Sequence, residues 1–232
     1  MELIRIRTHG KFADAAYEAI RSGIRMGQIL PGTRLQEGEL ASQLGTSKTP
    51  VREALGRLVG DGLASSSGRT GVYVTRLSQD EMSDLYEARA IIEPPLARFA
   101  AERATDDDIQ ALRESVAEFE RALHADDIYS LMDLDSQFHE MIASIAGNSM
   151  LADARERLDN CIAIARVTSL RRSQRRISAL SLKEHSQIAE AIANHDCKKA
   201  ERRMAEHIRK RREGLLGKAT TKAEKAPAPS GT

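Results

Sequence analysis

Between Phe12 and Thr75, apolar positions recur three times at helical spacing and then begin to alternate. Phe12–Met26 places Ala15, Ala16, Ala19, Ile20 and Ile24 on one side of a helix, and Pro31-Gly32 in GQILPGTRL marks a turn after it. A second short helix is predicted over Glu37–Leu44, stopped by Gly45. The third opens in TSKTPVREAL. Ser47 or Thr49 is its N-cap, Pro50 lies in the first turn where its missing N–H costs nothing, and Val51, Leu55, Leu58 and Val59 face inward. LASSSGRTGVYVT then alternates and turns at Gly68 and Gly71, as a two-stranded hairpin does. Three short helices followed by a hairpin, over residues 10–76, is the order of a winged helix-turn-helix.

From Ser78 to Gly217 the period stays helical. Ser78-x-x-Glu81, Thr105-x-x-Asp108 and Ser181-x-x-Glu184 each have the form of a capping box, the second with aspartate in place of glutamate, ahead of an apolar repeat. Further helices are predicted over Asp127–Ala146, from Ser149 to Leu170, and over Asp196–Leu216, which makes about six. Pro94-Pro95 falls inside the first and is expected to kink or divide it, because proline removes a donor and crowds the preceding turn. Residues 218–232 are poor in apolar side chains and read as a disordered tail. The expected fold class is mainly α: a winged helix over 10–76 and a helical bundle over 78–217.

Composition narrows the class further. At 232 residues and 41% hydrophobic the chain can bury a proper core, and with 3% aromatic residues that core must be built largely from Leu, Ile, Ala and Met. No apolar run is long enough to span a bilayer, and MELIRIRTHGKF is charged throughout rather than built as a signal peptide, so a cytoplasmic location without membrane contact is expected. Cys161 and Cys197 are too few and too far apart for a disulfide framework or a metal knuckle. The net charge of +1 hides an uneven spread. Lys plus Arg against Asp plus Glu is 11 to 7 up to Leu77, 7 to 20 from Ser78 to Asn160, and 17 to 7 beyond, so a polyanion would be met by the first part. The arginine cluster RRSQRR, Arg171–Arg176, reads as a solvated helix face or as a partner for the acidic middle.

Two constellations carry chemistry. The second helix of a helix-turn-helix points its N-terminal end into the DNA major groove, so its first turn needs donors more than core side chains. Ser47, Lys48, Thr49 and Arg52 fit that need, and the planar fork of Arg52 suits guanine. Taken singly, they could equally be helix caps and surface charges. In the bundle, DLDSQFHEMI sets Asp135 and His139 four residues apart on one face close to the core. Such a pair more often makes a simple hydrogen bond than a metal site. With His185 and His207, which sit among apolar neighbours in later helices, it would suit zinc or another first-row metal. Walker, GxGxxG and serine-elbow signatures are absent, and Glu140 points to another face than His139, so a metal-dependent hydrolase has no evident base.

PGTRLQEGELASQLGTSKTPVREALGRLVGDGL resembles the DNA-binding domain of the GntR family of bacterial transcription regulators. The resemblance implies that Arg34, Ser47, Lys48, Thr49 and Arg52 face double-stranded DNA and that the wing, Gly68–Gly71, approaches the minor groove. Lys48 stands where arginine is usual, and Gly38 where some relatives have a DNA-contacting arginine. Residues 78–217 are similar to the FCD effector-binding domain of the FadR subfamily, through YEARAIIEPPLARFAA, Asp135-x-x-Phe138-His139, Ala146-Gly147-Asn148, Glu184-His185 and a histidine in the last helix. Their length and helix number resemble the VanR-like group. This likeness implies a divalent metal on Asp135, His139, His185 and His207, commonly zinc, with nickel, manganese or iron open. It also implies a small carboxylate effector at the metal. Arg89 could grip that carboxylate or be tied to Glu87, Glu93 or the acidic middle region. The reading that results is a homodimeric regulator, a repressor on a pseudo-palindromic operator, and not an enzyme. Its rival is an effector-independent DNA-binding protein whose helical domain only dimerises.

Overall fold

The structure is a computed structural model that describes the backbone of residues 10–67 and 71–216, with the side chains of that span except at 10, 169–178 and 215–216. The turn expected at Gly68, the side chains of Arg171–Arg176 and the tail 218–232 lie outside the described residues. The chain divides into two compact units. One is Met1–Leu77 with Asp159–Arg171, and the other is Ser78–Leu158 with Arg172–Thr232.

In the first unit α1 (Gly10–Arg25) buries Ala13, Ala16, Tyr17, Ile20 and Ile24, a stripe at three- and four-residue spacing. Ala15 and Ala19, expected on that stripe, are exposed. The larger Tyr17 and Ile20 set which face turns inward, and an alanine loses little by facing water. The chain then forms β1 (Arg34–Leu35), α2 (Glu37–Gln43), α3 (Lys48–Gly60), β2 (Ala64–Ser66) and β3 (Val72–Val74). The three strands pair antiparallel in the order β1-β3-β2, with Arg34 and Ser65 on either side of Tyr73. The two-residue β1 has too little sequence to show alternation, so the apolar pattern predicts no strand there. Gly45, at φ +63, supplies the left-handed residue that lets α3 follow α2 so closely. Val51, Ala54, Leu55 and Leu58 of α3 are buried, whereas Val59 is only half-buried.

Ile164, far beyond this segment in sequence, is fully buried in the same core as Ile24, Leu58 and Leu63. It belongs to α7 (Ser149–Ala193), whose middle part is tied to the unit by Arg25–Asp159 at 3.1 Å and by Asn160 donating to the Asp61 carbonyl at 3.0 Å. Ile164→Ala should therefore destabilise the winged-helix unit by about 2–5 kcal/mol, read as an earlier unfolding transition. An unchanged transition would show that this core closes without α7.

The second unit is helical among the described residues: α4 (Gln79–Arg103), α5 (Asp106–His124), α6 (Ile128–Ile145), parts of α7, and α8 (Cys197–Leu216). The boxes at Ser78/Glu81 and Thr105/Asp108 form as predicted, each with both reciprocal hydrogen bonds. Pro94 and Pro95 do not divide α4. The carbonyls they leave without an amide partner belong to Ala90 and Ile91, which are exposed, so water can serve them. Ser181-x-x-Glu184 does not start a helix. It lies inside the continuous α7, because the preceding stretch has neither Gly nor Pro to break it. Its two polar side chains turn to α8 instead, where Arg211 donates to the Ser181 hydroxyl at 2.5 Å. α4 lies along α8 and α5 pairs with α6. Phe119, Leu123 and Leu131 form one apolar cluster, and Leu96, Ala143 and Ala146 another. Among the described residues no helix is long and apolar enough to cross a membrane.

Candidate metal centre and nucleic-acid interface

His139 on α6, His185 on α7 and His207 on α8 are each 1–2% exposed, and one ligand atom from each lies within 4.8 Å of those of the other two. Three helices thus converge three imidazoles into one buried point. Phe138 stacks on His185 with centroids 4.2 Å apart and planes 15° from parallel, and the Phe119 ring meets its edge at 5.3 Å. Two of the four phenylalanines of the chain are spent on this one ring, which fixes its plane. Asp135, one turn before His139, brings Oδ1 to 3.4 Å from His185 Nε2.

The nitrogens are unsatisfied in a way that matters. Both nitrogens of His139 and Nε2 of His185 are buried without a hydrogen-bond partner. Glu93 Oε2 is 2.7 Å from His139 Nδ1, but off the direction a hydrogen bond requires. Buried polar atoms left so are rare, and an ion between them is one arrangement that satisfies them. His207 Nδ1 is bound to Glu184 Oε2 at 2.9 Å, which leaves Nε2 as the nitrogen able to ligate. Burial first, and then the neighbouring charge of Arg211 for His207, hold the His185 and His207 imidazoles well below their ordinary pKa. They are therefore neutral, the form that binds metal. Three imidazoles with a nearby carboxylate fit a divalent first-row ion.

Beneath this point lies a buried ion pair. Arg89 Nε donates to Glu93 Oε1 at 2.5 Å, both side chains being at most 4% exposed. Burial alone would raise the Glu93 carboxyl, yet the Arg89 guanidinium and the His139 imidazole hold it well below the usual range. Of the partners open to Arg89 in the sequence, Glu93 at four residues' distance is the one it takes. Glu87 pairs with Arg212 instead.

On the first unit, Ser47 is the N-cap residue of α3 with its side chain outside any capping bond, and Ser47, Lys48, Thr49 and Arg52 are all exposed. Arg34 and Gly71 are brought together. Gly71 has φ +116, and a Cβ there would meet Arg34 Nε at 3.2 Å, so the glycine lets the guanidinium lie across the base of the wing. Arg52 is held by Glu37, Nε to Oε1 at 2.8 Å and Nη2 to Oε2 at 2.6 Å.

Residues 12–74 match the family described as bacterial regulatory proteins, gntR family, and residues 84–210 match the FCD domain, more than half of the chain. The chain is a GntR-family transcriptional regulator with an FCD domain. It is 26% identical to the uncharacterized HTH-type transcriptional regulator YdhC of Bacillus subtilis over 83% of this chain and 85% of that one. It is 28% identical to the HTH-type transcriptional repressor RspR of Escherichia coli over 83% of each. Among solved structures, E. coli McbR/YncC superposes with a TM-score of 0.79 at 20% identity, covering 90% of this chain and 98% of the other, which supports the fold. A GntR regulator is a DNA-binding protein and not an enzyme.

Sequence reading of this GntR regulator brought out the ligand candidates but not what orients them. The spacing Ser181-x-x-Glu184 predicts a helix cap, whereas the bond of Glu184 to His207 crosses between helices, so no local spacing announces it. Glu93 was visible as a partner for Arg89, but not its approach to His139. The Glu37–Arg52 pair also spans two helices and left no periodic signal.

Proposed function

We propose that this GntR regulator is a homodimeric repressor whose affinity for a pseudo-palindromic operator is set by a small carboxylate bound at a metal in the helical domain. The winged helix over 10–76 supplies the DNA contacts, and the domain over 78–217 supplies dimerisation and the effector site, in the cytoplasm. The observation that carries the reading is the convergence of three buried histidines, with both nitrogens of His139 and Nε2 of His185 lacking a hydrogen-bond partner. His139, His185 and His207, with Asp135, would hold the ion, zinc by its preference for imidazole, with nickel, manganese and iron compatible. A bound ion supplies a Lewis-acidic anchor for a carboxylate. Arg89 offers a second cation, provided it yields part of its pairing with Glu93.

Metal analysis of the purified protein, together with melting curves in the presence of a panel of small carboxylates, tests this. About one metal per chain and a carboxylate that raises the melting temperature only of the loaded protein are expected. A protein that takes up no zinc in excess metal contradicts it.

On DNA, Arg34, Ser47, Lys48, Thr49, Arg52 and Gly71 form the contact set. Lys48 acts as a point charge on phosphate, so Lys48→Ala should lower the salt slope of binding by about one and weaken operator and random duplex alike. Arg52→Ala should cost about 1–3 kcal/mol on the operator alone. Equal losses on both duplexes for Arg52 would remove its base-reading role.

A further inference from the structure

We infer that Glu37 is a specificity-determining residue of this regulator, which buttresses Arg52 so that its guanidinium presents an end-on fork to a base instead of swinging to phosphate. The inference rests on the reading of α3 as the DNA-contacting helix. Arg52 has five N–H donors in one plane. Glu37 takes the side-on pair, Nε–H and one Nη2–H, at 2.8 and 2.6 Å. The two Nη1–H groups and the second Nη2–H remain, and of these one Nη1–H and the Nη2–H form the parallel pair that fits the O6 and N7 of guanine. The Arg52 side chain is 67% exposed even while held, so the fork is accessible without breaking the pair.

Position and charge make Glu37 suited to this work. It lies in the first turn of α2 and reaches across to α3, so the pair links the two helices of the motif. Lys48 and Arg52 are one turn apart on α3 and repel each other. Glu37 answers both, because the hydrogen bond from Arg52 is the main influence holding its carboxyl below the ordinary range and the charge of Lys48 adds to it. An exposed ion pair contributes little to stability. Placing an acid on a surface that must meet phosphates weakens non-specific attraction, which makes sense where orientation of the arginine is the gain.

The test uses the full chain and two duplexes: the sequence that the unaltered protein enriches from a randomised library, and a random one at the same salt. Glu37→Gln keeps size and polarity but loses the charge that holds the fork. Its ratio of enriched to random affinity should fall by about 5- to 150-fold, the range of one bidentate base contact, with its melting temperature unchanged. In an Arg52→Ala background, Glu37→Gln should not lower the ratio further. Two results would overturn the inference: an unchanged ratio in Glu37→Gln, as when both affinities rise by the same factor because the acid merely repels phosphate, or an equal fall of the ratio with Arg52 already removed. If the unaltered protein enriches no sequence at all, the base-reading assignment of α3 fails first and this inference falls with it.

Discussion

His185→Ala should leave the protein without tightly bound zinc while His124→Ala, an exposed residue near the end of α5, leaves its content unchanged. The cause is the shape of the site. The three imidazoles come from three different helices and meet at one point, so losing one removes a third of the nitrogen ligands. Removing a group that only orients a ligand costs about 10- to 100-fold in metal affinity. Loss of the ligand itself should exceed that range. Glu184→Gln gives the internal scale, since it keeps a hydrogen-bond acceptor on His207 Nδ1 but loses the charge, and should fall within it. Competition against a chromophoric chelator reads all of these. Zinc retained by His185→Ala with unaltered affinity would dismiss the centre.

Glu93→Ala should be among the most destabilising single substitutions in the helical domain. It would leave the Arg89 guanidinium at 4% exposure with its ion-pair partner gone, and breaking a buried pair in this way costs about 3–5 kcal/mol. For a chain of this size that is a fall in melting temperature on the order of 10 °C. Replacing both partners together, Arg89→Met with Glu93→Leu, removes both charges and should recover most of the loss. The contrast between single and double variants identifies the uncompensated charge as the cause. If the double variant melts as low as the single one, packing around Glu93 is responsible and the pair is not.

Much of this was legible in the chain itself because its determinants are local. The apolar period over residues 12–74, Pro50 after a run of hydroxyls, and the reciprocal caps at Ser78 and Thr105 each act within one or two turns, so neighbours in sequence suffice to reveal them. The spacing of Asp135 and His139 likewise reports one helical face. What could not be read are relations across elements. Ile164 enters the core of the winged-helix unit from a helix far along the chain. The serine three residues before Glu184 predicts a cap, whereas in the folded chain Glu184 accepts from His207 and pairs with Lys210 and Arg211 on another helix. Pro94-Pro95 argues for a kink or a division, and α4 runs through them undivided, because the cost of proline depends on whether the orphaned carbonyls face solvent, which is a tertiary fact.

The most direct measurement of the central claim is operator affinity in four states: zinc-loaded and chelator-stripped protein, each with and without the carboxylate that most raises the melting temperature of the loaded form. A coupling of about 1–3 kcal/mol between carboxylate and DNA, present in the loaded protein and lost on stripping, is the predicted result. Equal operator affinity in all four states would contradict it, and would leave a DNA-binding GntR regulator whose histidine centre plays no part in control.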